Sequence, residues 1–76
     1  MAKYNGHASW AQWNVSLWIN NDEGLYRSAL RTIALAKTKD KGAVWFMREL
    51  EKMGLTHTPD GARYTKTAIR NAMIGL

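Results

Sequence analysis

At 76 residues the chain has room for one core, because a fold this small buries only about 60% of the surface its unfolded chain exposes. It contains no cysteine, and its two histidines, His7 and His57, stand apart, which excludes a disulfide framework and a structural zinc site. The formal net charge is +5, and of the eleven Lys and Arg only Lys3 precedes residue 27, so the positive field belongs to the later part of the chain; it suits nucleic acid, an anionic protein surface or acidic headgroups, with a partnerless solvated surface as the plain alternative.

Four Trp, three Tyr and one Phe predict an aromatic-rich core in place of those staples, each large ring burying on the order of 150–250 Å². A homodimer interface would serve the same end. The lack of cysteine fits a reducing cytoplasm, and no leader-like amino terminus or apolar run of about 18 residues is present, so no membrane is expected. Residues 1–76 therefore read as a single helical domain without internal repeats.

In chain order, the first periodic stretch is Ser9–Asn20. As a helix it places Trp10, Trp13, Leu17 and Trp18 on one face with Ser9 as N-cap; as a strand it alternates Trp13, Val15, Leu17 and Ile19 with polar positions and Trp18. A strand needs hydrogen-bonding neighbours, and no later segment offers more than a short extended piece, which favours the helix. Asn14 falls within the apolar arc, and its amide needs partners at a cost of about 1–3 kcal/mol if left without them; the loop around Tyr4–Gly6 is the expected partner.

Asn20 and Asn21 suit a left-handed helix end, and Asp22 suits the cap of a second helix with Glu23 in its first turn. The same two acids make a poor metal site without a third ligand. The second helix runs from Leu25, with Leu25, Tyr26, Ala29, Leu30, Ile33, Ala34 and Ala36 on its inner arc and Arg27 and Arg31 together outside. Lys37–Gly42 then reads as a turn or hinge, with Lys37 and Lys39 at the negative end of that helix and Asp40 as the next cap.

A third helix over 41–53 buries Ala43, Phe46, Met47, Leu50 and Met53, and Gly54 follows as its left-handed cap. Trp45 falls off that face among Lys41, Arg48, Glu49 and Lys52; it either stacks on a base or anchors a partner, or packs on another element. Pro59-Asp60-Gly61 predicts a turn with Gly61 at positive φ and Arg63 and Tyr64 briefly extended. Thr65 caps a last helix over 66–75, with Ala68, Ile69, Ala72, Met73 and Leu76 inward and Lys66, Thr67, Arg70 and Asn71 outward. The fold class is all-α: a compact bundle of about four short helices, with Trp10, Trp13, Leu17, Trp18, Leu25, Leu30, Ile33, Phe46, Leu50 and Ile69 as core.

Catalytic groups are hard to assemble from this inventory. His7 lacks an acid at helical spacing, His57 sits between two threonines, and Glu49 and Glu51 face different sides of their helix. There is no Ser elbow, Cys nucleophile or phosphate-binding Gly loop with its lysine. The expectation is a protein that is not an enzyme and needs no cofactor or metal. The residues best suited to bind nucleic acid or a partner are Arg27, Arg31, Lys39, Lys41, Trp45, Arg48, Lys52, Lys66, Thr67, Arg70 and Asn71, types that reach phosphates, bases and base edges.

Leu50, Gly54, Leu55, Thr58, Pro59, Gly61, Tyr64, Thr65, Ile69 and Arg70 form a pattern that resembles the helix-turn-helix in the accessory domain of large serine recombinases. The resemblance covers about a third of the chain and implies a DNA-binding regulator reading a groove with Lys66, Thr67, Arg70 and Asn71; the loop is one residue longer here, and Asn71 replaces a common basic residue. Tyr4-Asn5-Gly6, Trp13-Asn14-Val15, Leu17-Trp18-Ile19 and Asn21-Asp22-Glu23-Gly24 resemble the opening of small uncharacterised proteins of bacteriophages and plasmids. That second resemblance implies a phage-type accessory protein in the host cytoplasm, a stoichiometric inhibitor of a host defence complex of the anti-CRISPR kind, with nucleic acid or a host nucleoprotein as partner. A structural or assembly protein without nucleic-acid contact is the third class.

Overall fold

A computed structural model of the chain describes residues 9–74 and 76. Four helices follow in order: α1 (Trp10–Asn21), α2 (Glu23–Ala36), α3 (Lys39–Lys52) and α4 (Lys66–Met73). Among the described residues there is no strand, only an isolated antiparallel bridge between His57 and Arg63, and no helix is long and apolar enough to cross a membrane. Each helix packs on two others: α1 on α2 and α4, and α3 on α2 and α4. The expected connection between Asn14 and Tyr4–Gly6 falls outside the described residues on the loop side.

Side-chain caps set the helix starts. Ser9 Oγ accepts from the Gln12 amide, Asp22 Oδ1 from Leu25, Thr38 Oγ1 from Lys41 and Thr65 Oγ1 from Ala68, at 3.0–3.2 Å, satisfying donors that the first turn leaves free. Asp22 also ends α1: with φ −92° and ψ 118° it is extended, and its N–H donates to Trp18 O. This corrects the left-handed end expected at Asn20 and Asn21. Both asparagines stay helical, their amides donating back to Ser16 O and Leu17 O at 2.8 Å.

The turn expected within Lys37–Gly42 falls at Lys37 and Thr38, and its details are corrected. Thr38, not Asp40, is the cap, and α3 begins two residues earlier than predicted. Lys37 makes the reversal, at φ 69° and with its N–H on Ile33 O. Gly42 lies buried inside α3, where an added Cβ would stand 3.3 Å from Ile33 Cα. The glycine is there to let α2 and α3 approach. Gly54 behaves as expected: at φ +75° it closes α3 with Gly54 N–H on Glu51 O and Leu55 N–H on Leu50 O, the paired bonds of a Schellman motif. The last helix stops at Met73, short of the predicted residue 75, with Ile74 extended.

The core consists of Val15, Ile19, Ala29, Ala43, Phe46, Leu50, Ala62, Tyr64, Ala68, Ile69, Ala72 and Met73. It is aliphatic and alanine-rich, which corrects the expected aromatic interior. Phe46 and Tyr64 are its aromatic members, whereas Trp10 and Trp45 are each 41% exposed and Trp13 and Trp18 are half-buried. Leu17, Tyr26 and Leu30 are exposed, Leu25 and Ile33 only partly covered, and Met53 is 57% exposed.

The reason lies in the helix contacts. Ala68 and Ala72 of α4 face the core along with Ala29 and Ala43, and such small faces bring helix axes close together and leave no room for indoles. Val15 and Ile19, one turn apart, fill that space and turn the Trp10–Trp13–Leu17 side of α1 outward. In α2 the buried arc rotates toward Thr32, whose hydroxyl donates to Ala29 O at 2.9 Å, and away from Leu30.

Lys37 carries the one positive φ among described non-glycine residues, a conformation that costs an L-residue roughly 1–2 kcal/mol. Lys37→Gly should raise stability by about 1 kcal/mol after the larger unfolded-state entropy of glycine is set against it, read as a higher urea midpoint at unchanged m-value.

Candidate functional site

The connection from α3 to α4, residues 53–65, is long and is held down by side chains. Thr58 and Ala62 exchange backbone and side-chain bonds: Thr58 N–H donates to Ala62 O at 2.7 Å, and Ala62 N–H to Thr58 Oγ1 at 3.0 Å. Gly61, at φ +98°, completes the turn with its N–H on Thr58 O, as the Pro-Asp-Gly signature predicts. Asn14, 2% exposed, reaches across from α1. Its Oδ1 accepts from the Thr58 hydroxyl at 2.5 Å and its Nδ2 donates to Asp60 Oδ2 at 2.9 Å. The same carboxylate oxygen accepts from Trp18 Nε1 at 2.9 Å. Asn14 therefore ties α1 to a loop, as a buried amide must, and that loop is 58–60. Among the described residues no buried side-chain N or O is left unpaired.

These two donors, Asn14 first and Trp18 second, hold the Asp60 carboxyl below its ordinary value of 3.8. Tyr64 is shifted the other way: burial, and then the charge of Asp22, raise its phenol above the usual 10.0.

The predicted cationic residues divide into separate groups. In α3, Lys41, Trp45, Arg48 and Lys52 recur at spacings of four, three and four residues and so form one outer stripe. Trp45, Arg48 and Lys52 join Arg31, Thr32 and Leu35 of α2 and Glu49 of α3 around an open groove of about 510 Å³. Leu35 there is 64% exposed. Arg31, Arg48 and Lys52 form no ion pair among the described residues, and Glu49 is the one carboxylate in the lining. Lys41 lies one turn before Trp45, exposed.

The remaining predicted residues are engaged or apart. Arg27 pairs with Glu23 one turn earlier on the surface of α2, an arrangement of small energetic weight. Arg70 Nε pairs with Asp40 Oδ1, joining α4 to the first turn of α3. Asn71, expected outward, is half-buried, and its Nδ2 donates to Gln12 Oε1 at 2.8 Å, joining α4 to α1. Lys66 and Thr67 are exposed at the start of α4, and Lys39 is half-buried in the first turn of α3.

A second concavity escaped the sequence reading. Trp18, Asp22, Gly24, Leu25, Ser28, Met53, Leu55, His57, Pro59 and Tyr64 line a mainly apolar cleft of about 550 Å³ where the α1–α2 elbow meets the 53–65 connection. Helical spacing assigns Trp18, Leu25 and Met53 to the interior, whereas here they form walls of this cleft. Among the described residues no group of three His, Asp or Glu side chains gathers closely enough to hold a metal ion.

Among the described residues, fold and surface together define a four-helix bundle with a cationic, Trp-bearing groove and a mainly apolar cleft. The chain belongs to a family of unknown function, DUF7249, whose model matches residues 1–75. No curated protein and no solved structure matches it.

The Asp60 contacts predict an acid-sensitive loop. A carboxyl held below its unfolded value contributes stability that is present above that value and is lost as pH falls through the folded one. Urea denaturation from pH 6 to pH 2.5 should therefore show a progressive loss beginning near pH 4, and Asp60→Asn should remove that part of the pH dependence. A variant with the same acid profile as the wild type would contradict the assignment.

Proposed function

We propose that this protein is a non-catalytic binding protein whose α2–α3 groove engages a polyanion, either nucleic acid or the nucleic-acid-bearing surface of a host nucleoprotein. The observation that carries this reading is the convergence of Arg31, Arg48 and Lys52, free of ion pairs among the described residues, around the half-exposed indole of Trp45. Cations supply the sequence-independent attraction to phosphates. An exposed indole beside them offers a face on which an unpaired base stacks, worth about 1–3 kcal/mol. Lys41 extends the same stripe of α3 by one turn.

The resemblance of the opening motif to phage and plasmid proteins gives such a face a use. Within a host cell, a phage-type accessory protein of this size would act stoichiometrically, covering the nucleic-acid-bearing part of a defence complex in the manner of an anti-CRISPR inhibitor. The groove-reading regulator is less well supported. Asn71 is held by Gln12 and Arg70 shares a surface ion pair with Asp40, and the 53–65 connection is far longer than the 3–4-residue turn of a helix-turn-helix. Lys66 and Thr67 alone would remain to read bases from α4.

The test is fluorescence anisotropy on labelled single-stranded and duplex oligonucleotides over a salt series. The wild type should bind with little sequence preference and weaken steeply with salt. Arg48→Glu combined with Lys52→Glu should reduce the log–log salt slope by about 1.4, at roughly 0.7 per lost single-strand phosphate contact. Trp45→Ala should weaken single-strand binding by about tenfold while moving duplex binding little. Binding left unchanged by all three substitutions, or abolished by Arg70→Ala alone, would overturn the assignment to this groove.

A further inference from the structure

The cleft between the α1–α2 elbow and the 53–65 connection differs in character from the α2–α3 groove. Trp18, Leu25, Met53, Leu55, Pro59 and Tyr64 give it apolar walls around about 550 Å³, a volume within the roughly 300–1,000 Å³ range of ligand-binding clefts. The chain carries a formal charge of +5, yet among the described residues neither Lys nor Arg lines this cleft. Besides His57 and Tyr64, the ionisable groups at it are acidic. Asp22 is part of the lining, and Asp60 is bonded to the indole N–H of Trp18.

Both carboxylates are held in place. Asp22 Oδ1 accepts from the Leu25 amide at 3.0 Å, and Asp60 is fixed by Asn14 and Trp18. The field of Asp22 reaches across the cleft, since its charge adds to burial in raising the phenol of Tyr64. A phosphate-bearing occupant would meet the Asp22 carboxylate there, with that of Asp60 one hydrogen bond beyond the Trp18 indole, and is disfavoured by charge. The apolar walls alone would accept any hydrophobe, but acids at their edge select one that carries a positive charge.

We propose that this cleft binds a basic amphipathic segment of a partner protein, with an aliphatic side chain against Leu25, Met53 and Leu55 and a neighbouring Lys or Arg set against Asp22 beside the Trp18 and Tyr64 rings. A cation next to such rings gains from their quadrupoles as well as from the carboxylate. A peptide fits better than a free amine. Met53 and Leu55 are 57% and 41% exposed, so the apolar wall runs well beyond what one ammonium head on a short stem would cover. Met also adapts its shape to an incoming side chain. This surface stands independently of the polyanion-binding groove. Together the two would let one small domain hold both the nucleic acid and the basic protein part of a nucleoprotein.

The test uses the full ¹⁵N-labelled chain and three probes: the blocked peptide acetyl-Leu-Lys-Leu-Leu-Arg-amide, its analogue with glutamate at both charged positions, and hexylamine. The basic peptide should produce saturable shifts at the Trp18 indole and at Leu25, Leu55 and His57, and both other probes should bind more weakly. Asp22→Asn keeps the helix cap, because Asn caps as well as Asp, and should weaken the basic peptide about threefold, the weight of one exposed ion pair. Leu55→Ala should weaken it about fivefold through lost apolar contact. The proposal is overturned if the basic peptide gives no saturable shift, if its shifts map elsewhere, if the acidic analogue binds as tightly, or if Asp22→Asn has no effect. Hexylamine binding as tightly as the peptide would assign the cleft to a small amine instead.

Discussion

The buried amide of Asn14 is the constraint around which the rest of this small fold is arranged. A carboxamide at 2% exposure costs about 1–3 kcal/mol unless both its ends are paired, and here both partners come from a loop more than forty residues away in sequence: the Thr58 hydroxyl and the Asp60 carboxylate. Thr58 also accepts from Ala62, and Asp60 also accepts from the Trp18 indole. One polar cluster thus fixes the long α3–α4 connection to α1. With the connection fixed, Ala62 and Tyr64 enter the core and α4 is delivered between α1 and α3.

The surface follows from the same packing. Helices that meet through Ala29, Ala43, Ala68, Ala72 and the buried Gly42 approach too closely to house indoles, so the large rings stand at the margins. Trp18 becomes a wall of the apolar cleft while donating to Asp60. Trp45 becomes the aromatic member of the cationic groove. Rings at such margins are available for recognition, where rings in the interior are not. The charge pattern completes the division, because Arg27 and Arg70 are matched by carboxylates of the chain itself while Arg31, Arg48 and Lys52 are left around Trp45.

Local signals in the sequence carried the helical architecture well. Ser9, Asp22 and Thr65 cap as their positions imply, Gly54 and Gly61 take the positive φ that their neighbours demand, and α2 to α4 show helical periodicity. The orientation of α1 was not legible. Apolar residues surround that helix, so spacing alone picked the Trp10–Trp13–Leu17 face, while tertiary packing chose Val15 and Ile19. Gly42 reads as a breaker when only the neighbouring lysines are in view; its role depends on Ile33 of another helix. The cationic stripe of α3 was legible from spacing. The loss of Arg70 and Asn71 to Asp40 and Gln12 was not, because those partners lie thirty and fifty-nine positions away.

Whether the Asn14 cluster pins the connection to the bundle is decided by native-state amide hydrogen exchange on the wild type and Asn14→Ala. In the variant the amides of Ala62 and Tyr64, which donate to Thr58 Oγ1 and Thr56 O, should lose at least about tenfold more protection than the amide of Phe46 in α3, because the loop now opens without global unfolding. Protection that falls in parallel at all three positions, or does not fall at all, would contradict that pinning.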